Sequence, residues 1–180
     1  MTSPASTQEP ASRIALRAAL AALDAAQAAG RPWALAEAYR EVAQGYGGVG
    51  ALPSALAMLA QALRWARATG ATDQCVDLHC EVIEMLARQA DAQEQEMPGS
   101  GRPTRDRARD HVFEATRLAT RVADARWEVT VLLRLSDVLD RFGDRDDATV
   151  LQVRALQLTV GASLEPQRPN AADAAVLRRH

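Results

Sequence analysis

The chain has 180 residues and a net charge of −2. That length suits one domain with a substantial core, and the charge leaves no bulk attraction to nucleic acid or an anionic membrane. Ala and Leu dominate, β-branched residues are scarce and no stretch alternates cleanly, which argues against a sheet and for an all-α fold. Residues 1–11, rich in Ser, Thr, Pro and Ala, read as a disordered tail. Periodicity predicts a helix over 12–29, whose apolar run is interrupted by Arg17 and Asp24, so that it fits neither a signal peptide nor a membrane span. Gly30 ends it and Pro32 opens the next pair, predicted over 33–46 and 53–69. A further helix starts after Thr72 or Asp73, either of which is a suitable N-cap. An inserted stretch over 90–104 follows: the polar run 91–96 lengthens the helix, and the Met97–Pro103 core reads as a flexible loop. Helices are then expected over 105–123, capped by Thr104, and over 125–142 and 146–161. Beyond Gly161, Pro166 and Pro169 mark a tail over 162–180, with a short helix expected over 171–179.

One spacing recurs. Tyr39, Val42, Ala43 and Tyr46 precede Gly50, followed by Ala55, Leu59, Ala62 and Leu63. Leu132, Leu135, Ser136 and Leu139 precede Gly143, followed by Ala148, Gln152, Ala155 and Leu156, at the same offsets. His79, Val82, Ile83 and Leu86 repeat the first cluster, with Ala108, Ala115 and Ala119 as small partners after the insertion. Each cluster recurs at i, i+3, i+4 and i+7, one face of a helix. The alanines let two antiparallel helices approach, and the large residues fill the gaps between them. Such a hairpin cannot bury its own face alone, so copies must stack.

This pattern resembles the tetratricopeptide repeat, a helix–turn–helix unit of about 34 residues. The resemblance covers 12–161, with the first helix as an orphan half-repeat: its Ala15, Ala22 and Leu23 sit where a second helix would place them. The long junctions resemble the longer-helix repeats of bacterial regulatory proteins. The resemblance implies a right-handed α-solenoid of about three hairpins plus a capping half-repeat, acting in the bacterial cytosol as a scaffold for protein–protein interaction. It also implies that the first helix of each repeat lines a concave groove. In this chain those positions are Glu37, Arg40, Glu41 and Gln44; Asp77, Cys80, Glu81, Glu84 and Arg88; and Thr130, Leu133, Arg134, Asp137, Asp140 and Arg141.

Some members of the family grip a partner's terminal carboxylate with a clamp of Lys, Arg and Asn. Arg40, Arg134 and Gln44 keep parts of such a clamp, but Glu81 and Thr130 stand where it has Asn and Lys. A carboxylate facing a carboxylate costs on the order of 1 kcal/mol or more when partly desolvated. The expected partner is therefore a protein or peptide segment that is basic or amphipathic. On this reading, reversing the charge of Glu81 and Glu84 abolishes binding and leaves the fold intact. Self-association into a homo-oligomer is the alternative.

Other motifs are weaker. Gly45-Tyr46-Gly47-Gly48-Val49-Gly50 matches the dinucleotide fingerprint in letters, but a helix rather than a strand precedes it, so it reads as a helix terminator and mobile turn. Cys75, His79, Cys80 and Glu84 have metal-ligand character, yet His79 falls on a packing position and nothing in the sequence brings His111 or His180 near it. The arginines at 102, 105, 107 and 109 interleave with Asp106 and Asp110 as helix-surface ion pairs do. No nucleophile–base–acid set emerges, so neither an enzyme nor a cofactor is expected.

Overall fold

The computed structural model describes residues 10–164. The described residues form seven helices: α1 (Ala11–Ala29), α2 (Pro32–Gly48), α3 (Leu52–Thr69), α4 (Thr72–Glu96), α5 (Arg102–Ala119), α6 (Ala125–Phe142) and α7 (Arg145–Leu164), with no strand among them. Residues 1–9 of the expected N-terminal tail and 165–180 of the expected C-terminal one, with the short helix over 171–179, lie outside the described residues. Each helix packs against the next in chain order, and α4 also touches α6.

The turns follow from local chemistry. Pro32 opens α2, where a missing N–H costs nothing. Asp124 caps α6 by accepting the Trp127 N–H at 3.0 Å. α3 and α6 close on left-handed glycines, Gly70 (φ 71°) and Gly143 (φ 84°), which let the chain reverse at once. The expected caps of α4 and α5 differ. Ala71 precedes α4 without a side-chain bond. Thr104 lies inside α5, where its hydroxyl donates to Gln93 Oε1 at 2.7 Å.

The inserted stretch is mostly helix. α4 continues to Glu96 and α5 begins at Arg102, leaving 97–101 as the connection. That connection is tied down: the Ser100 hydroxyl reaches the Gln93 and Met97 carbonyl oxygens at 2.7 Å, and the Gly99 N–H donates to Glu94 at 2.9 Å. Gly101 packs so close to α4 that a Cβ there would lie 2.6 Å from the Ala90 carbonyl oxygen. The insertion thus extends a helical hairpin instead of forming a loop.

Three overlapping apolar clusters run along the chain. Ala19 and Leu23 meet Leu35, Ala38 and Val42. Leu59, Ala62, Leu63 and Ala66 meet Leu78, Val82 and Leu86. Val76, Cys80 and Ile83 meet Val112, Leu132, Leu135 and Leu139, with Ala148 and Ala155 from α7. α4 therefore supplies two clusters from two neighbouring faces. α7 is apolar on its outer side as well, where Val150, Val153, Leu156 and Val160 stay exposed.

Candidate functional site: the face shared by α2, α4 and α6

Asp77, Glu81, Glu84, Arg88 and Asp91 follow one another at helical spacing and form a charged stripe along α4. On one side the stripe is joined to α2. Arg40 binds Glu81 Oε1 through Nη2 and Nε, both at 2.6 Å, and Gln44 Nε2 lies 3.4 Å from the same oxygen. Arg88 donates to the Gly47 carbonyl oxygen at 3.3 Å, and Gln74 donates to Glu37 at 3.3 Å. Arg40 also lies 3.8 Å from Glu37. On the other side the stripe is joined to α6: Arg134 binds Glu84 at 2.6 Å and Arg141 binds Asp91 at 2.9 Å.

The two seams differ in solvent access. The Arg40 and Glu81 side chains are 27% and 12% exposed, against 42% and 45% for Arg134 and Glu84. Burial disfavours the charge on Arg40, but its hydrogen bond and attraction to Glu81 outweigh that and raise its pKa. Burial opposes the charge on Arg134 in the same way and is outweighed by Glu84, so that its pKa is also raised.

These bridges revise one expectation. Glu81 and Glu84 hold helices together, so reversing their charge would set each against an arginine 2.6 Å away. That double substitution breaks the seams along with any binding surface.

The remaining positions divide. Asp77 lies within the electrostatic reach of both Arg40 and Arg134, yet no hydrogen bond reaches its carboxylate among the described residues. Desolvation raises its pKa, against the pull of the two arginines. Asp137 borders a depression of about 340 Å³ with Glu84, Arg88, Arg134 and Arg141. Glu41 and Gln44 border a separate groove of about 600 Å³ between α1 and α2, whose α1 wall is built from Ser12 and small alanines. Asp140 is turned toward α7, where Gln152 donates to it at 3.5 Å. Bonds from α4 thus reach Arg40, Gln44 and Gly47 on α2 and Arg134 and Arg141 on α6, while Glu41 borders the α1–α2 groove and Asp140 meets α7.

The cysteine–histidine set separates. Cys75 lies beside Arg67 at the end of α3 and Glu114 of α5, whereas Cys80 belongs to the apolar cluster that α4 shares with α5 and α6. Burial pushes the Cys80 thiol up to about 11 and raises Cys75 as well, so neither is a ready thiolate. His79 is buried and meets His111, with the two Nδ1 atoms 2.8 Å apart, while Arg67 Nη2 lies 3.3 Å from His79 Nε2. Among the described residues no three His, Cys, Asp or Glu side chains converge as metal ligands do. His111, which the sequence alone does not bring near His79, is thus its direct partner. Its signal was its place on the small-residue face of α5, at i+3 from Ala108 and i−4 from Ala115.

The first four residues of the glycine motif continue α2 to Gly48, and Val49 with the left-handed Gly50 (φ 81°) forms the expected terminating turn. Gly45 admits Leu16 of α1, whose Cα would lie 3.0 Å from an added Cβ, and Gly47 lies beneath Met85 of α4. These glycines serve helix contacts. The arginine cluster is similarly occupied: Arg109 binds Asp106 and Asp144, and Arg105 lies 3.7 Å from Glu94. No helix among the described residues is long and apolar enough to cross a membrane.

Comparison with known protein families finds no match to this chain, and comparison with curated proteins finds none either.

Proposed function

We propose that the protein is a tetratricopeptide-like α-solenoid that binds a basic or amphipathic segment of a protein partner along the α2–α4–α6 face. The observation that carries this reading is Asp77. Among the described residues it is a half-buried carboxylate that accepts no hydrogen bond, within electrostatic reach of Arg40 and Arg134 and lying between two seams in which other acids are already paired. A desolvated, unbonded carboxylate gains most from an incoming Arg or Lys. Asp137 in the adjoining depression supplies a second contact. The arginines of the face are spoken for by Glu81, Glu84, Asp91 and the Gly47 carbonyl, so what remains unpaired at its centre is acidic.

The test is fluorescence anisotropy with labelled basic amphipathic peptides of varied sequence. Wild type is expected to select a subset of them, and Asp77→Asn to lose that binding at least tenfold with an unchanged circular dichroism spectrum. Equal affinity of wild type and Asp77→Asn, or no binding by any peptide, would overturn the reading.

Self-association is the second reading, and the outer side of α7 favours it. Val150, Val153, Leu156 and Val160 form an exposed apolar stripe, and Arg154, the charge among them, is engaged by Glu128 at 3.2 Å. Light scattering decides it: a concentration-dependent dimer that Leu156→Glu converts to monomer supports this reading, and a monomer at all concentrations removes it.

A further inference from the structure

We infer that the His79–His111 pair is a proton-sensitive clasp, holding the end of α3 to the α4–α5 hairpin while neutral and releasing it when protonated. The inference is independent of what the α2–α4–α6 face binds.

It rests first on donor and acceptor chemistry. A guanidinium only donates, so His79 Nε2, 3.3 Å from Arg67 Nη2, must accept. His79 therefore carries its proton on Nδ1. That proton points at His111 Nδ1, 2.8 Å away, so His111 accepts there and carries its own proton on Nε2. The result is a directed chain, Arg67 to His79 to His111, in which both ring acceptors are in use. An added proton has no vacant position. On His79 Nε2 it replaces the Arg67 bond with two facing cations. On His111 Nδ1 it collides with the His79 proton, unless His79 changes tautomer and turns an N–H on Arg67. Either route ends the hydrogen bond from Arg67 of α3.

The surroundings make the neutral state the resting one. Desolvation lowers the pKa of His79 to about 4, reinforced by His111, Arg67 and Arg117 and opposed by Glu114. Desolvation lowers that of His111 too, with Arg107 and Arg67 adding to it and Asp110 and Glu114 opposing. Glu114 is itself held by Arg117 through two hydrogen bonds, at 2.6 and 2.9 Å. From α4, Cys75 adds a thiol whose own pKa is raised by burial. A folded pKa below the unfolded value makes the pair stabilising above about pH 6.5, with that contribution lost as the pH falls toward 4.

The clasp also connects to the opposite side of α4. His79 and Glu81 are two residues apart, roughly 200° around the helix. A shift of α4 at His79 therefore moves the carboxylate that Arg40 binds.

The experiment is imidazole nitrogen NMR on the full chain, combined with amide exchange from pH 7 to pH 5. At pH 7, His79 is expected as the Nδ1–H tautomer and His111 as the Nε2–H tautomer, with the chain's third histidine, His180, giving a separate signal. Opening of the amides at 66–70 is expected to rise by up to about tenfold per pH unit for each histidine as the pH drops below 6. His111→Asn keeps an acceptor near the Nδ1 position but cannot titrate, so it lowers that slope. Both histidines titrating near 6.5, the reverse tautomers, or exchange at 66–70 that ignores pH would each overturn the clasp, and the wild-type tautomers decide even if the variant fails to fold.

Discussion

The α2–α3 and α6–α7 hairpins carry the same residue spacing and meet different fates. In the first, Leu59 and Leu63 of α3 are buried because α2 lies on one side and α4 on the other. In the second, the matching positions on α7 are Gln152 and Leu156, both exposed, and Leu156 is 63% exposed. The small residues that close each hairpin behave alike, with Ala55, Ala62, Ala148 and Ala155 all buried. The internal contact of a hairpin is thus encoded in the hairpin itself. The burial of its outer side depends on the neighbour that follows.

That contrast is broken most severely on the buried side. Leu63→Ala removes a side chain enclosed by α2, α3 and α4 and is expected to cost about 2–5 kcal/mol, read as a lower urea midpoint. The charged seams repeat the contrast on a smaller scale. Glu81→Gln leaves the shielded Arg40 guanidinium without its carboxylate, an expected loss of about 1–3 kcal/mol that changes little with salt. Glu84→Gln removes a bridge whose partners are both more than 40% exposed. Its expected cost is below about 1 kcal/mol, fading as sodium chloride is raised. Equal costs for the two glutamates would mean that the seams are equivalent and that burial does not distinguish them.

How much of this was legible follows from the range of the interactions. Helix periodicity and the Gly and Pro punctuation act within a few residues, so the seven helices, Pro32 at the start of α2 and Gly143 at the end of α6 were readable to within a few positions. The insertion was harder, because Met97-Pro98-Gly99-Ser100-Gly101 has loop composition, whereas its order comes from Gln93, Glu94 and Ala90 on the preceding helix. The same limit hid the seams. A stripe of Asp77, Glu81, Glu84, Arg88 and Asp91 looks alike whether it faces water, a ligand or two neighbouring helices. Only tertiary placement shows that Arg40 and Arg134 meet it from opposite sides. The pairing of His79 with His111 needed the rotation of α5 against α4, which depends on how the 97–101 connection is folded.

The smallest expected effect is the most discriminating. Leu156→Ala occupies the position on α7 that Leu63 occupies on α3, so sequence equivalence alone would assign the two substitutions the same cost. Exposure assigns them different ones: an unpartnered leucine loses little contact on truncation, and the expected change is within about 0.5 kcal/mol. A loss comparable to that of Leu63→Ala, measured by urea unfolding at two protein concentrations, would mean that α7 is covered in solution. A cost that grows with concentration would identify the cover as a second copy of the chain. A cost independent of concentration would place it within the same chain. The outer side of α7 is thus where the equivalence of the two hairpins is restored or lost, and the comparison of Leu63 with Leu156 measures which.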